Sequence, residues 1–139
     1  MTDNRVLLRE DGLESVVVNR ADGLAVGMLK AAGVPQIILS TEKNPVVEAR
    51  ALKLGIPSIS GLDDKAVTLR SYAAENHYSL AHTVYVGNDI NDLGAMQLVG
   101  FPVAPADAHA SIRAIACHVT RAPGGGGVIR ELIDEFFNL

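Results

Sequence analysis

The feature that most constrains the fold is the regular alternation of short apolar runs with longer helical segments. Runs such as 35–40 (PQIILS) and 83–86 (TVYV) carry apolar residues at successive positions, which is typical of strands buried on both faces. Segments of roughly 10 to 14 residues with helical spacing separate these runs. Strands that alternate with helices in this way predict βαβ units and a parallel sheet with right-handed crossovers.

The element boundaries follow from capping and stop signals, such as Gly55 at the end of one helix and Asp63 or Asp64 as the cap of the next. We expect strands at 35–40, 56–59, 83–86, 101–104 and 117–120, and helices at 22–32, 45–54, 64–76, 91–99 and 128–137. The first segment differs, because Asp11-Gly12 between two β-rich runs, 6–9 and 15–19, predicts a hairpin. The sequence therefore predicts one α/β domain over residues 1–139, with a Rossmann-like parallel sheet flanked by helices and an N-terminal β-hairpin.

Composition excludes several classes of protein. The 16 acidic residues outnumber the 12 basic ones, which argues against a nucleic-acid-binding protein. No apolar stretch approaches the roughly 20 residues that span a bilayer, and the N-terminal residues lack a signal peptide's apolar region. Cys117 is the only cysteine, so no intrachain disulfide can form, and we expect it to be a small core residue. These features predict a cytoplasmic protein that does not bind membranes.

The acidic loop after the strand at 83–86 is the strongest candidate for a site, because ligands of such sheets bind at the carboxyl ends of the strands. Residues 87–92 (GNDIND) place Asn88, Asp89 and Asp92 at that end. Their oxygen atoms are ligands that suit Mg²⁺. Helix capping explains any one of these residues taken alone. The whole cluster behind a buried strand favours a metal site.

Two hydroxyl residues, Ser40 and Thr41, follow the strand at 35–40. Hydroxyl and backbone N–H groups at a strand end can hold a phosphate, although an ordinary cap is the favoured interpretation of these two residues alone. Glu42 could orient a substrate hydroxyl or be solvated. Lys65 lies in the first turn of a helix, where a cation opposes the helix dipole. It either neutralises a phosphate and a nearby carboxylate or pairs at the surface with the aspartates before it.

Four consecutive glycines precede the last helix, and they include Gly125 and Gly126. They could form an anion-binding nest, a mobile cover for a site or a loose connector. The histidines show no spacing typical of metal ligands in the sequence. They are His77, His82, His109 and His118.

The order of Ser40, Lys65 and the GNDIND loop at these strand ends resembles the haloacid dehalogenase-like phosphatase superfamily. Within it, the chain is similar to the small, capless branch of the 3-deoxy-manno-octulosonate 8-phosphate phosphatases and the C-terminal domains of some acylneuraminate cytidylyltransferases. The resemblance covers essentially the whole chain. It includes the hairpin and the segments 20–23 (RADG), 38–40, 64–65, 106–109 (ADAH) and 120–123 (TRAP).

The resemblance implies a Mg²⁺-dependent phosphomonoesterase that acts on a phosphorylated eight- or nine-carbon sugar acid through an aspartyl-phosphate. Ser40 would bind the transferring phosphoryl group, and Lys65 would stabilise it together with the nucleophile. The 88–92 loop would hold Mg²⁺, and the glycine-rich stretch would close over a site. A homotetramer assembled through the hairpins is also implied. The Val16–Val18 run is too apolar for an isolated two-stranded ribbon in water, so we expect it to lie in the contact.

The chain departs from the family pattern at two points. Asn88 stands where the family has an aspartate, so the loop brings less charge to a metal. No Asp-x-Asp motif occurs in the sequence, so the family's nucleophile and general acid/base are absent from it. We therefore expect these 139 residues to be inactive alone. The alternative is a non-catalytic or truncated oligomerisation domain related to that of the cytidylyltransferases. Glu42, where octulosonate enzymes have a basic residue, favours a nonulosonate-type substrate.

Overall fold

The computed structural model describes residues 2–137. The elements are β1 (Leu7–Leu8), β2 (Glu14–Ser15), α1 (Arg20–Ala31), β3 (Ile38–Leu39), α2 (Val46–Leu54), β4 (Ser58–Ile59), α3 (Lys65–Glu75), β5 (Val84–Val86), α4 (Leu93–Met96), β6 (Phe101–Ala104), α5 (Ala110–Ile115), β7 (His118–Val119) and α6 (Val128–Phe136). Short 3-10 turns precede β5 and α4, at Leu80–His82 and Ile90–Asp92.

The strands form three groups. β1 and β2 are an antiparallel hairpin, β3 and β4 are a parallel pair, and β5, β6 and β7 form a parallel sheet with β6 in the middle. Parallel strands joined through helices confirm the predicted α/β class, and the N-terminal hairpin is confirmed as well. Within residues 2–137, β3 pairs only with β4, and β5 pairs only with β6.

The three-stranded sheet is covered by helices on both faces. Successive side chains of a strand point to opposite faces. On β6, Val103 packs against Val128 and Leu132 of α6, whereas Ala104 belongs to the cluster of Ile112 from α5. Ala104, Ile112 and Val128 are fully buried. The centre of the core therefore lies around β6.

The β3–β4 pair is less deeply buried, and all four of its residues are only partly covered. Leu39 packs beside Tyr85 of β5 against a cluster formed by α3 and the segment around α4, whose buried members are Leu69, Ala95 and Val99. This cluster joins the pair to the three-stranded sheet. The predicted strand at 35–40 is correct in place but shorter, because only one of its edges is hydrogen-bonded to another described strand.

The hairpin differs from the expected one in extent. Leu7 lies opposite Ser15, and Leu8 lies opposite Glu14, so the ladder ends before the valine run that was expected to form the second strand. Gly12 takes a φ of 82° in the turn, a left-handed conformation that glycine adopts without a steric penalty. Val17 lies outside the ladder and is 78% exposed.

A buried carboxylate in α1 fastens the last helix to the first. Asp22 Oδ1 accepts hydrogen bonds from the backbone N–H groups of Ile129 (2.9 Å) and Arg130 (3.1 Å) in the first turn of α6. These are groups that have no partner inside a helix, and a carboxylate also suits the positive end of the helix dipole. Asp22 is 3% exposed, so the contact is shielded from water.

Several local predictions can be compared with the structure. Asp64 caps α3, because its side chain accepts from the backbone N–H groups of Ala66 and Val67. Gly55 ends α2 in a left-handed conformation. Both residues were expected at these helix ends. Helix α5 (Ala110–Ile115) was not predicted. The expectation that Cys117 is a core residue was wrong, since it is exposed. Of the helices in residues 2–137, none is long and apolar enough to cross a membrane.

Candidate active site

The loop after β5 turns sharply at Gly87. A side-chain carbon at this position would lie 2.6 Å from Cβ of Asp92 and 2.7 Å from Sδ of Met96, so only glycine fits. Asp89 then begins the 3-10 turn, and its Oδ1 accepts from the backbone N–H of Ile90 (2.8 Å). The capping interpretation of Asp89 is thus correct as a description of its local contacts.

The carboxylate of Asp92 is surrounded by four donors. Its Oδ1 accepts from Nζ of Lys65 (2.7 Å) and from the hydroxyl of Tyr85 (2.9 Å). Its Oδ2 accepts from the backbone N–H groups of Asn88 (2.9 Å) and Asp89 (3.2 Å). A carboxylate has about four acceptor positions, so all of them are used. Asp92 therefore fixes the loop and orients Lys65 at the same time.

Lys65 is the first residue of α3, and its side chain is only 10% exposed. It pairs with Asp92 and not with the neighbouring aspartates, so of the two interpretations left open by the sequence, the surface pair is wrong. Burial, together with the negative charge of Asp92, raises the pKa of Tyr85, which therefore stays a hydrogen-bond donor at neutral pH. The buried pair of Lys65 and Asp92, with the added hydrogen bond from Tyr85, thus holds both charges in fixed positions.

The loop after β3 lies against the acidic loop. Thr41 Oγ1 accepts a hydrogen bond from Nδ2 of Asn91 (3.1 Å), which joins the two strand ends. Ser40 Oγ accepts from the backbone N–H of Glu42 (3.1 Å). Glu42 Oε1 in turn accepts from the next two backbone N–H groups, at 2.8 and 2.9 Å. Glu42 therefore stabilises the turn that leads to α2.

The loop after β6 lies at the same edge of the fold as the loops after β3 and β5. The backbone N–H of His109, in the loop after β6, donates to the backbone oxygen of Asn88 (2.9 Å). Asp107 Oδ1 accepts from the N–H of Gly124 (2.8 Å), which ties this loop to the glycine-rich segment after β7. The loops after β3, β5, β6 and β7 thus lie along one edge of the fold, as expected for parallel strands.

The glycine-rich segment packs against the N-terminal residues. A side-chain carbon at Gly124 would lie 2.5 Å from the backbone oxygen of Thr2, and Asn19 donates to the backbone oxygen of Gly125 (3.3 Å). An open cleft of about 370 Å³ is lined by Asp3, Arg5, Val17, Asp107, Pro123, Gly124, Gly125 and Gly126. Among the described residues, no hydrogen bond joins this segment to Ser40 or Lys65. The phosphate-binding role of Gly125 and Gly126 stays a prediction.

The predicted site residues therefore fall into two sets. Lys65 contacts Asp92 directly, and Asp92 also accepts from Asn88 and Asp89. The turn of residues 40–42 lies beside them, because Asn91 of the acidic loop donates to Thr41. The glycines belong to the cleft. Sequence reasoning missed Tyr85, whose signal is the only polar side chain in the VYV strand directly before the acidic loop.

Some of the oxygen atoms of the acidic loop are suited to bind a hard cation such as Mg²⁺. The carboxamide of Asn88 takes part in no hydrogen bond that the described residues make, and Asp89 brings a negative charge beside it. Both offer oxygen atoms, and Mg²⁺ commonly takes one or two such ligands and completes its shell with water and phosphate. Asp92 already uses its acceptor positions. The assignment of Asn88, Asp89 and Asp92 to a metal stays a prediction.

The sequence is similar to those of known phosphatases and hydrolases. The sequence profile of the haloacid dehalogenase-like hydrolases matches residues 59–132. The 3-deoxy-D-manno-octulosonate 8-phosphate phosphatase of Yersinia pestis is 32% identical over 135 residues, which are 96% of this chain and 72% of that protein.

Solved structures agree with the sequence comparison. A haloacid dehalogenase-family hydrolase from Streptomyces avermitilis is 50% identical, with a TM-score of 0.92 over 94% of this chain and 80% of that one. The octulosonate 8-phosphate phosphatase of Moraxella catarrhalis, in complex with a magnesium ion, a phosphate ion and a KDO molecule, is 30% identical. Its TM-score is 0.90 over 94% of this chain and 76% of that one. The chain belongs to the haloacid dehalogenase-like hydrolases, in the branch of the octulosonate 8-phosphate phosphatases.

Proposed function

We propose that this chain provides the site of a Mg²⁺-dependent phosphomonoesterase that acts on a phosphorylated eight- or nine-carbon sugar acid. The observation that carries the proposal is the buried pair of Lys65 and Asp92 at the carboxyl ends of the strands. An ammonium group has three donors, and the contact with Asp92 uses one of them. The ammonium group therefore has donors left for a phosphoryl group, and it holds a positive charge in a fixed position in a partly desolvated site.

Ser40 is the second phosphate ligand of the proposal. Its Oγ accepts from the backbone N–H of Glu42, which leaves the hydroxyl proton to donate to a phosphate oxygen. Thr41, the residue after Ser40, is held beside the acidic loop by Asn91, so Ser40 lies next to the loop that contains Asp92, the partner of Lys65. Gly125 and Gly126 would cover the phosphate from the loop after β7, and Glu42 would hold the turn that carries Ser40.

The metal of the proposal is held by Asn88 and Asp89, with Asp92 positioning both through their backbone N–H groups. A bound Mg²⁺ would supply positive charge for the phosphate oxygens. Binding is expected to be weak, because Asn88 is neutral. A titration with Mg²⁺ is expected to shift the amide NMR signals of residues 88–92. Shifts spread evenly over the surface would instead favour a pure capping role for the loop.

The nucleophile is expected to come from outside these residues, since no Asp-x-Asp motif occurs among them. The 139-residue chain is therefore expected to show no Mg²⁺-dependent turnover of an aryl phosphate. A version with an Asp-x-Asp-Gly-bearing strand fused ahead of residue 1 is expected to gain turnover, highest with sugar-acid phosphates of eight or nine carbons. Turnover by the 139 residues alone that EDTA abolishes would contradict this assignment of the nucleophile.

The role of Ser40 can be tested in that active form. Ser40→Ala is expected to lower kcat/KM by about 10²-fold, the scale typical of losing one donor to a transition-state oxygen. Ser60 is the matched control, because it follows β4 as Ser40 follows β3, and its hydroxyl donates to Glu48 (2.9 Å). Ser60→Ala is expected to leave kcat/KM nearly unchanged. Equal losses in the two variants would remove Ser40 from the site.

Assembly into a homotetramer through the hairpin is the second part of the proposal. The hairpin region exposes a set of large apolar side chains, which are Val6, Leu7, Leu8, Leu13 and Val17. Patches of this kind mark interaction surfaces, and a two-stranded ribbon is marginal in water without further packing. An oligomerisation role alone, without catalysis, is the competing function that the same surface supports.

Light scattering tests the assembly. The chain is expected to elute as a tetramer at micromolar concentration. Val17→Asp is expected to dissociate it, because the contact would bury an unpaired carboxylate. Leu52, 84% exposed on α2, is the matched control, and Leu52→Asp is expected to leave the tetramer intact. A monomer peak for the unmodified chain would refute the proposal.

A further inference from the structure

Three metal-binding side chains converge where β7 meets α6, in a region that the proposed phosphatase site does not use. His118 lies on β7, and Glu131 and Glu135 lie one turn apart on α6. One ligand atom from each lies within 4.8 Å of the others. This group was not predicted from the sequence, because its members are brought together by the packing of β7 on α6.

The imidazole of His118 has a nitrogen in this group that lies beside Glu135 without forming a hydrogen bond to it. Its Nε2 is buried and makes no hydrogen bond in the described part of the chain, and it lies 3.4 Å from Oε2 of Glu135. A buried polar atom without a partner is destabilising and uncommon in folded proteins. The ring is held edge-on to the ring of Phe136, with 5.0 Å between the centroids and an interplanar angle of 89°. Nε2 therefore faces Glu135, and Glu131 lies within the same group.

The carboxylate of Glu131 is held in place by the loop that leads to the glycine-rich segment. Its two oxygens accept from the backbone N–H groups of Arg121 and Ala122, both at 2.8 Å. Each oxygen keeps one further acceptor position. Burial opposes ionisation of this group, but these hydrogen bonds and the nearby charge of Arg121 hold the pKa of Glu131 below its usual value. The site thus contains a fixed, ionised carboxylate.

The cation now in contact with both glutamates is the guanidinium of Arg121. It pairs with Glu135 and lies 3.5 Å from Oε1 of Glu131. The side chain of Arg121 is 81% exposed, and exposed ion pairs contribute little to stability. The guanidinium can therefore move into solvent at small cost and leave the two carboxylates to another cation.

We propose that His118, Glu131 and Glu135 form a second cation site that binds Zn²⁺, independent of the phosphatase site. Imidazole nitrogen with carboxylate oxygen is a donor set that suits Zn²⁺, whereas the all-oxygen acidic loop suits Mg²⁺. Bonds of about 2.1 Å in a tetrahedral site place ligand atoms about 3.4 Å apart, so movements of about 1 Å suffice. A water molecule takes the fourth position. The ion would fasten β7, α6 and the loop after β7 to one another.

Zn²⁺ binding by the unmodified chain tests the site, with millimolar Mg²⁺ present to occupy the acidic loop. Calorimetry is expected to give one equivalent of Zn²⁺, and Zn²⁺ is expected to raise the melting temperature. Co²⁺, used as a visible probe of the same site, is expected to show the absorption of a tetrahedral complex. Glu135→Gln and His118→Phe are each expected to weaken Zn²⁺ binding at least about tenfold.

Two further variants separate the site from unspecific binding. His82→Ala removes an exposed histidine of the turn before β5, outside the proposed site, and this variant is expected to bind Zn²⁺ normally. Arg121→Gln removes the competing cation and is expected to bind Zn²⁺ more tightly, a change that a purely structural cluster would not produce. Absence of Zn²⁺ binding by the unmodified chain, or equal affinity in the folded Glu135→Gln variant, would overturn the proposal. Neither result bears on phosphatase activity.

Discussion

The three-stranded sheet and the β3–β4 pair are built from the same kind of βα unit, yet they differ in burial. Ala104 of β6 is fully buried, and Val103 is 4% exposed, whereas every residue of β3 and β4 is only partly covered. The central strand β6 has a strand on each side and helices on both faces. β3 has one strand partner among residues 2–137. A βα unit becomes deeply buried when both edges of its strand and both faces are covered.

The candidate site joins these two unequal regions. Lys65 begins the helix that follows β4, and Asp92 lies in the loop that follows β5. Their hydrogen bond, together with that from Asn91 to Thr41, connects the pair to the sheet across the carboxyl edge. The largest effects of mutation are therefore expected at this connection.

Lys65→Met is expected to destabilise the chain by about 3–5 kcal/mol, because it leaves the buried carboxylate of Asp92 without its counter-charge. Urea unfolding followed by circular dichroism measures the change. Lys53, exposed on α2, is the matched control, and Lys53→Met is expected to change the free energy of unfolding by less than about 0.5 kcal/mol. Recovery in the double variant that also carries Asp92→Asn would support the explanation. A loss below about 1 kcal/mol in Lys65→Met would contradict it.

Core truncation measures the difference in burial between the two regions. Ile112→Ala, at a fully buried position beside Ala104, is expected to cost about 3–4 kcal/mol, since the cavity adds to the lost transfer energy. Leu39→Ala in the half-buried pair is expected to cost about 1–2 kcal/mol, because less apolar surface leaves a covered environment. Thermal and urea unfolding give both values. Equal costs would show that the two regions are packed equally well.

The smallest effects are expected at Glu131 and Glu42, each of which accepts hydrogen bonds from two backbone N–H groups. Glu131→Gln is expected to lose about 1.5 kcal/mol at pH 7, the scale of a charged hydrogen bond at a side chain that is only 12% exposed. The exposed Glu42 makes the same kind of contacts, and Glu42→Gln is expected to lose less. Urea unfolding at pH 7 measures both.

The pH dependence of the Glu131→Gln difference has a definite sign. The pKa of Glu131 is lower in the folded chain than its usual value of about 4.3, because its backbone hydrogen bonds outweigh its burial. Its contribution is therefore fully present above that value and is lost as the pH falls through the folded pKa. The two unfolding free energies are expected to converge below about pH 4. A difference that stays constant down to acid pH would contradict this assignment.

The alternation of strands and helices was predictable because apolar runs and caps are local signals. Asp64 and Gly55 mark their helix ends as the sequence indicated. Helix α5 was not predicted, because six residues are too few to show a helical period. A nearby carboxylate was one of the two partners considered for Lys65, but that it is Asp92, and that Tyr85 joins it, was not predictable, since this depends on how α3 packs beside β5. Local patterns indicate which residues end strands, and tertiary packing decides which of them touch.

The hydrogen bonds from Asp22 to the first turn of α6 also set the order in which the fold can close during synthesis. Ile129 is made 107 residues after Asp22. At a synthesis rate of about 5–20 residues per second, α1 waits roughly 5 to 20 s on the ribosome before its partner helix exists. Through that interval Ala25 and Val26, both buried in the finished fold, have no α6 to help cover them. The side of α1 that packs on α6 therefore stays uncovered by that helix in the nascent chain until α6 docks.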